Sequence, residues 1–389
     1  MSSTAFDIEG VVRSRYSHGA RRQEADLCCP VDYDPRYLEV IPQEIIERDY
    51  GCGDPSRHVR WGDTVLDLGS GSGKICYVAS QVVGPEGRVI GVDMNPEMLG
   101  LARRFQDEVG RRIGWRNVEF RRARIQDLAL DLEAVEAWLQ INPVFGADDV
   151  NALEVEQARL RREAPLIPDT SIDVVVSNCV LNLVSDEEKQ HLFPEIYRVL
   201  KKNGGRAVIS DIVSDEPVPE GLKADPELWS GCVSGAMTEE EFLAAFQRVG
   251  FYGIEVLSRS RSPWRTVEGI EFRALTVRAF RGKEGACHET NKALMYRGPW
   301  RRVVDDDGHV FRRGERAAVC EKTFRIMSKE PYAGQFEPVL PLTAIEPTEA
   351  RPFDCSRTAP RRPSETKGLN HGLTTPAREI VCGPDGDCC

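Results

Sequence analysis

The 389-residue chain has no apolar run approaching the 18 or more residues that span a bilayer, so no membrane-spanning helix is expected. It also lacks a basic excess: 51 Lys and Arg stand against 62 Asp and Glu, a net charge of −11. A phosphate-backbone binder carries the opposite balance, so nucleic acid is not expected as a partner. The N-terminal residues include Asp7 and Glu9 and no apolar h-region, which argues against a signal peptide and for a soluble, cytoplasmic protein. No CxxC pair occurs, and the cysteine spacings fit no zinc ribbon or finger. Histidine is scarce, at six residues, and no pair of carboxylates stands out as an acid–base couple. No internal repeat is present.

What the chain does have is a core-forming composition, 41% hydrophobic and 29% charged, which excludes wholesale disorder. Its length suggests two units, or one large domain with appendages. Twelve cysteines are many for a chain without signs of secretion. In a reducing compartment such a surplus points to soft-metal ligation or thiol chemistry, with about half of the thiols expected to pack as small apolar residues.

From Asp63 onward, strands and helices are expected to alternate. Strands are read at 64–68, 88–93, 118–121, 172–177 and 206–210, with closing strands at 254–257 and 272–277. This predicts an α/β, doubly wound, Rossmann-like sheet. A polar, helix-rich stretch at 127–164 reads as a solvated insertion. Ser185 and Glu188 have capping-box spacing, and Pro194 is expected to divide the helical region they open. The predicted domains are an N-terminal cap segment (1–60), mostly irregular with a helical stretch at 37–48, and a main domain (61–282). A small appendage (283–330) follows, with a hairpin around Asp305 to Gly308, and then a disordered, cysteine-containing tail (331–389).

The first strand runs into Asp67-Leu68-Gly69-Ser70-Gly71-Ser72-Gly73. Glycines there let the backbone turn sharply and approach a ligand at the helix N-terminus. The second strand ends at Asp93, where a carboxylate can accept hydrogen bonds from ribose hydroxyls. The GxGxG spacing differs from the GxGxxG of dinucleotide enzymes and disfavours a nicotinamide oxidoreductase. Three cysteines lie in loops suited to face the same cleft. Cys179 directly follows the fourth strand, Cys232 sits in a small-residue loop after the fifth, and Cys52 lies between Gly51 and Gly53. Ligands of open α/β sheets sit at the carboxyl ends of the strands, and three thiolates suit a trigonal soft centre better than a tetrahedral zinc. Cys76, inside the first helix beside Tyr77 and Val78, reads as a packing residue. His58 and His191 read as surface residues.

With Asp67 first, the loop resembles the cofactor loop of class I S-adenosylmethionine-dependent methyltransferases, a likeness spanning about residues 60–280. It implies a seven-stranded sheet and S-adenosylmethionine as cofactor. It also implies cofactor contacts at Tyr50, Asp67, Gly69, Ser70, Gly71, Gly73, Asp93, Met94, Gln126 and Asn178. The stretches YGCG at 50–53, SNCVLNLV at 177–184 and SGCVSGA at 230–236 resemble the arsenite S-adenosylmethionine methyltransferases. That resemblance implies that Cys52, Cys179 and Cys232 bind trivalent arsenic and exchange disulfides during turnover, with thioredoxin or glutathione as reductant. The family's further N-terminal cysteine is matched only loosely by Cys28 or Cys29, and the insertion at 127–164 exceeds the family pattern. Two other functions stay open at this level. One is a class I methyltransferase of an organic small molecule with incidental cysteines; the other is a non-catalytic, thiol-rich metalloid-binding protein. Intact Asp67, Gly69, Gly71 and Asp93 argue against the latter.

Overall fold

Runs of Val, Ile and Leu become the interior strands of a twisted sheet in the computed structural model, which describes residues 7–24, 27, 31–356 and 358–374. The chain divides into two units, Met1–Lys283 and Glu284–Cys389. The first unit opens with α1 (Ile8–Arg21), whose N-cap Asp7 accepts a hydrogen bond from the Gly10 amide at 3.0 Å. The sequence-based expectation of a mostly irregular segment missed this helix, because most of its positions are polar and only Val12, Gly19 and Ala20 are buried. The helical stretch expected at 37–48 is two short helices, α2 (Pro35–Leu38) and α3 (Gln43–Glu47), with Pro42 capping the second.

The alternation then follows in order. First come β1 (Thr64–Leu68), α4 (Lys74–Val83), β2 (Arg88–Asp93), α5 (Pro96–Ile113) and β3 (Val118–Arg122). The insertion forms α6 (Leu132–Ile141) and α7 (Ala147–Glu163), which share a small core of their own with Leu130, Val135 and Leu160. Next are β4 (Val174–Asn178), α8 (Asp186–Val199) and β5 (Arg206–Ser214). Pro194 does not divide α8. Leu192, Phe193 and Ile196 are buried around it, and this packing outweighs the lost hydrogen bond. After α9 (Glu220–Lys223), α10 (Pro226–Ser230) and α11 (Glu239–Arg248), the strands β6 (Tyr252–Arg259), β7 (Arg265–Val267) and β8 (Ile270–Phe280) close the sheet.

The strand order is β3-β2-β1-β4-β5-β8-β6, with β7 on β8 as an eighth strand. Strands β1 to β5 pair in parallel, and β8 runs antiparallel to both β5 and β6. Side chains alternate across the sheet. Leu66, Val175 and Ile209 face one apolar layer with Leu192 and Phe246, while Val65, Val176 and Val208 face the other with Ile75 and Leu99. Both faces are therefore covered, and ligands are left the carboxyl edge of the strands. The chain reverses its direction of winding between β1 and β4, so this edge opens beside them.

The second unit is built from short antiparallel strands. They are β9 (His288–Glu289), β10 (Ala293–Tyr296), β11 (Arg302–Val304), β12 (Val310–Arg312) and β13 (Arg316–Ala318). The helix α12 (Glu321–Met327), β14 (Phe336–Val339), β15 (Arg351–Pro352) and α13 (Pro363–Lys367) follow. The hairpin around Asp305 to Gly308 is present as β11–β12. A structureless tail from 331 is not: β14 completes the sheet β13-β10-β14, β15 pairs with β9, and buried Arg361 donates to Glu289 at 2.8 Å. Those few apolar residues act through long-range partners, which local periodicity does not register. Cys382, Cys388 and Cys389 lie outside the described residues, as do Cys28 and Cys29. Among the described residues, no helix is long and apolar enough to cross a membrane.

Candidate active site

The loop joining β1 to α4 adopts backbone that only glycine enters freely. Gly69, Gly71 and Gly73 have φ of 67°, 51° and 89°. A Cβ on Gly71 would meet nothing, because that position faces the open cleft, whereas one on Gly73 would strike the Phe120 ring. Gly73 therefore serves the packing of α4 on the sheet, and Gly71 leaves room for a ligand. The Gly71 amide donates to Asp93 Oδ2 at 2.9 Å, and the Asn95 amide donates to Oδ1 at 2.8 Å. Burial raises the Asp93 carboxyl above the usual range, and these amides oppose the rise. Asp67 lies deeper: the Cys76 thiol donates to its Oδ2 at 3.2 Å, and burial pushes its carboxyl up to about 8. Cys76 is fully buried and packs there, as its helical position implied. Ser70 is also buried, with its hydroxyl unpartnered.

The cleft beside this loop is a partly open space of about 1020 Å³ that merges with solvent. Of the expected cofactor residues, Tyr50, Gly69, Gly71, Asp93, Met94, Gln126 and Asn178 line it; Asp67, Ser70 and Gly73 stand behind it. The opposite wall is α1, through Ile8, Val12 and Tyr16, which sequence reasoning did not include. Asp7 as N-cap with Glu9 in the first turn was its only signal. Arg15 ties α1 to α10, donating to Ser230 Oγ at 3.0 Å and to the Glu227 carbonyl at 2.8 Å.

A cradle without side chains over Gly71, a carboxylate at the end of β2 and an apolar, partly enclosed wall suit a nucleoside with an amino-acid arm. This donor set fits S-adenosylmethionine.

At the end of β4 the thiols meet. Cys52 and Cys179 form a disulfide with their Cα atoms 5.8 Å apart. The Cys232 thiol donates to the Cys179 carbonyl at 3.4 Å, and the Tyr16 hydroxyl lies 3.9 Å from its sulfur. The three cysteines are 7%, 5% and 5% exposed and share an apolar cluster with Ile212, Val233 and Phe272. Cys179 and Cys232 both occupy left-handed backbone, with φ of 61° and 60°, a conformation uncommon for side chains other than glycine. Such backbone persists only where its surroundings hold it.

Beyond the apolar cluster, three buried polar side chains hold the loops. Asn178 Oδ1 accepts from the Cys52 and Gly53 amides at 2.8 and 3.0 Å, and its Nδ2 donates to the Gly53 carbonyl at 2.7 Å. The amide side chain expected to touch cofactor is thus largely committed to clamping the Cys52 loop. Asp211, raised to about 6 by burial, accepts from the Leu181 amide at 2.8 Å and fixes the turn after Cys179. Lys189, held below its usual value by burial, donates to the Gly235 carbonyl at 2.6 Å and fixes the turn after Cys232. None of these three roles was legible beforehand, since each depends on partners distant in the chain. His191 is exposed and His58 is half-buried; neither lines the cleft.

Residues 60–250 match the family described as a methyltransferase domain, and residues 283–371 match a domain of unknown function. The chain is 32% identical to the arsenite methyltransferase of Aquipseudomonas alcaligenes, over 81% of this chain and 85% of that protein. It is 29% identical to the arsenite methyltransferase of Mus musculus, over 77% and 73% respectively. A crystal structure of an arsenic(III) S-adenosylmethionine methyltransferase from Chlamydomonas reinhardtii superposes with a TM-score of 0.55 at 26% identity. That match covers 84% of this chain and all of the other.

Proposed function

The chain belongs to the arsenite methyltransferases and transfers methyl groups from S-adenosylmethionine to trivalent arsenic, and from that premise we propose how its residues divide the work. Cys52, Cys179 and Cys232 are the arsenic ligands. Tyr50, Gly69, Gly71, Asp93, Met94 and Gln126 hold the cofactor, and Asp93 accepts hydrogen bonds from the ribose. Asn178, Asp211 and Lys189 are positioning residues.

One observation carries this reading. Cys52 and Cys179 lie close enough to be bonded, with the Cys232 thiol beside them, at the edge of the cleft that the glycine loop borders. Soft thiolates select a soft centre, and the apolar surroundings exclude hard, water-bound ions. S-adenosylmethionine, when bound, supplies an electrophilic methyl group, whose uptake by the arsenic lone pair raises arsenic formally by two electrons. The chain's own chemistry is the return of those electrons. Cys52 and Cys179 give up their bonds to arsenic, form their disulfide, and so restore the trivalent state, while hydroxide from solvent or a thiolate of the reductant completes the arsenic coordination beside Cys232 and the methyl group. A thiol reductant of the thioredoxin or glutathione class then reopens the disulfide for the next arsenite. No proton is abstracted from the acceptor, and among the described residues no histidine lines the cleft.

The test is arsenite dependence. With S-adenosylmethionine and a dithiol present, demethylated cofactor should accumulate only when arsenite is added. Equal turnover on organic acceptors without arsenite would overturn the reading.

A further inference from the structure

The second unit contains a thiol cluster that the methyltransferase chemistry does not use. Cys287, Cys320 and Cys355 bring their sulfurs within 4.8 Å of one another. They come from three separate segments: Cys287 immediately precedes β9, Cys320 caps α12, and Cys355 follows β15. Their convergence is built by the surrounding backbone. The β9–β15 pairing, extended by the Phe353 amide donating to the Cys287 carbonyl at 2.9 Å, aligns the first segment with the third. The Ala318 amide donates to the Ala359 carbonyl at 2.8 Å and aligns the second with the third. His309 Nε2 lies 3.0 Å from the Cys355 carbonyl, and Arg361, almost wholly buried, ties this strand to Glu289.

Cys320 is fully buried, and its sulfur accepts a hydrogen bond from the Thr323 amide at 3.4 Å with the Thr323 hydroxyl at 3.3 Å. Cys287 and Cys355 are half-buried, which leaves a route for a ligand. No two of the three are joined in a disulfide. Among the described residues no histidine, aspartate or glutamate joins the group as a fourth ligand. A closed structural zinc site would need one. A trivalent pnictogen does not, because three thiolates and its lone pair complete its valence.

We propose that Cys287, Cys320 and Cys355 form a second, non-catalytic site that binds trivalent arsenic through three sulfurs. Loading is ligand exchange without redox change. Three As–O bonds of arsenious acid are replaced by three As–S bonds, and each thiol proton leaves with a hydroxyl as water. The choice of arsenic over zinc rests on the activity assigned to the first unit.

The experiment uses the full-length, thiol-reduced protein with Cys52, Cys179 and Cys232 all replaced by Ser, so that the methylation thiols cannot contribute. After equilibration with arsenite and desalting, bound arsenic is measured by mass spectrometry, with and without the further changes Cys287→Ser, Cys320→Ser and Cys355→Ser. The site should account for one arsenic per chain, lost with the second set. X-ray absorption should show three As–S bonds, and zinc offered in competition should not displace the arsenic. Equal arsenic in both proteins overturns the proposal, as does displacement by zinc. Because Cys320→Ser risks unfolding the unit, the milder Cys287→Ser is read alone by absorption spectroscopy, where loss of one As–S bond is expected and three unchanged bonds overturn the assignment. Product formation and arsenic content of the native, thiol-reduced chain, with all three of these cysteines in place, separate the two readings. Normal arsenite methylation with no second arsenic sinks this site only, whereas arsenic held here without any methylation sinks the function assigned above.

Discussion

The two cysteine triads reach the same juxtaposition by different routes. Cys52, Cys179 and Cys232 sit in loops bordering a parallel sheet, where left-handed backbone at two of them is clamped by buried Asn178, Asp211 and Lys189. Cys287, Cys320 and Cys355 are aligned by short antiparallel pairings and a helix cap, and none of them has positive φ. The first triad is strained and includes a disulfide; the second is relaxed and wholly reduced. Backbone held in sparse conformations costs free energy and clusters at functional sites, and only the first triad carries it. Thiol number alone does not assign chemistry; the surrounding frame does.

The largest effect expected from breaking this contrast is at Cys232. Cys232→Ser should lower arsenite methylation by more than the roughly 100-fold that marks the upper range for residues supporting a metal ligand, because a hydroxyl is a hard, poor partner for arsenic. Steady-state product formation measures it. Next comes Asn178→Ala, which leaves the Cys52 and Gly53 amides without their acceptor. A rate loss of about 10- to 100-fold is expected, with a stability loss of about 1–3 kcal/mol for the unpaired groups. Asn178→Asp, which keeps the acceptor, should recover part of the rate; equal loss in both variants would mean a general structural role.

A smaller effect is expected at Asp93. Asp93→Ala should weaken S-adenosylmethionine binding by about 1–3 kcal/mol, the scale of charge-assisted hydrogen bonds, as read by calorimetry. Unchanged affinity would remove Asp93 from the ribose. The smallest effect belongs to Cys76→Ser. It should retain methylation with a stability loss of about 1 kcal/mol in chemical denaturation, since Cys76 contacts Asp67 inside the core and not the cleft. Activity lost at Cys76 would blur the distinction between packing and reacting thiols.

Much of the first unit was legible in the sequence because its signals are local. The apolar runs at 174–176 and 207–209 read as buried strands, and the glycine loop followed by Asp93 pointed to the cleft at the carboxyl end of the sheet. Glycine-flanked Cys52 and the small-residue loop around Cys232 singled out, for the same reason, thiols that the fold brings together with Cys179. What escaped depends on distant partners. Helix α1 is polar apart from the few residues it lays over the cleft, and Pro194 is tolerated because the core holds α8 together. In the second unit, Cys287, Cys320 and Cys355 have unremarkable neighbours, and strands of two to four residues carry no periodicity to read. Reading 331–389 as a tail followed from that lack of local signal.

In the proposed mechanism Cys179 passes between arsenic and Cys52 during each turnover. Incubating the native chain and Cys179→Ser with arsenite, a dithiol and methyl-labelled S-adenosylmethionine, and following products by mass spectrometry, tests it most directly. The native chain should yield labelled methylarsenicals and Cys179→Ser none, with cofactor affinity the same in both. Labelled product from Cys179→Ser at a near-native rate would contradict the thiolate mechanism.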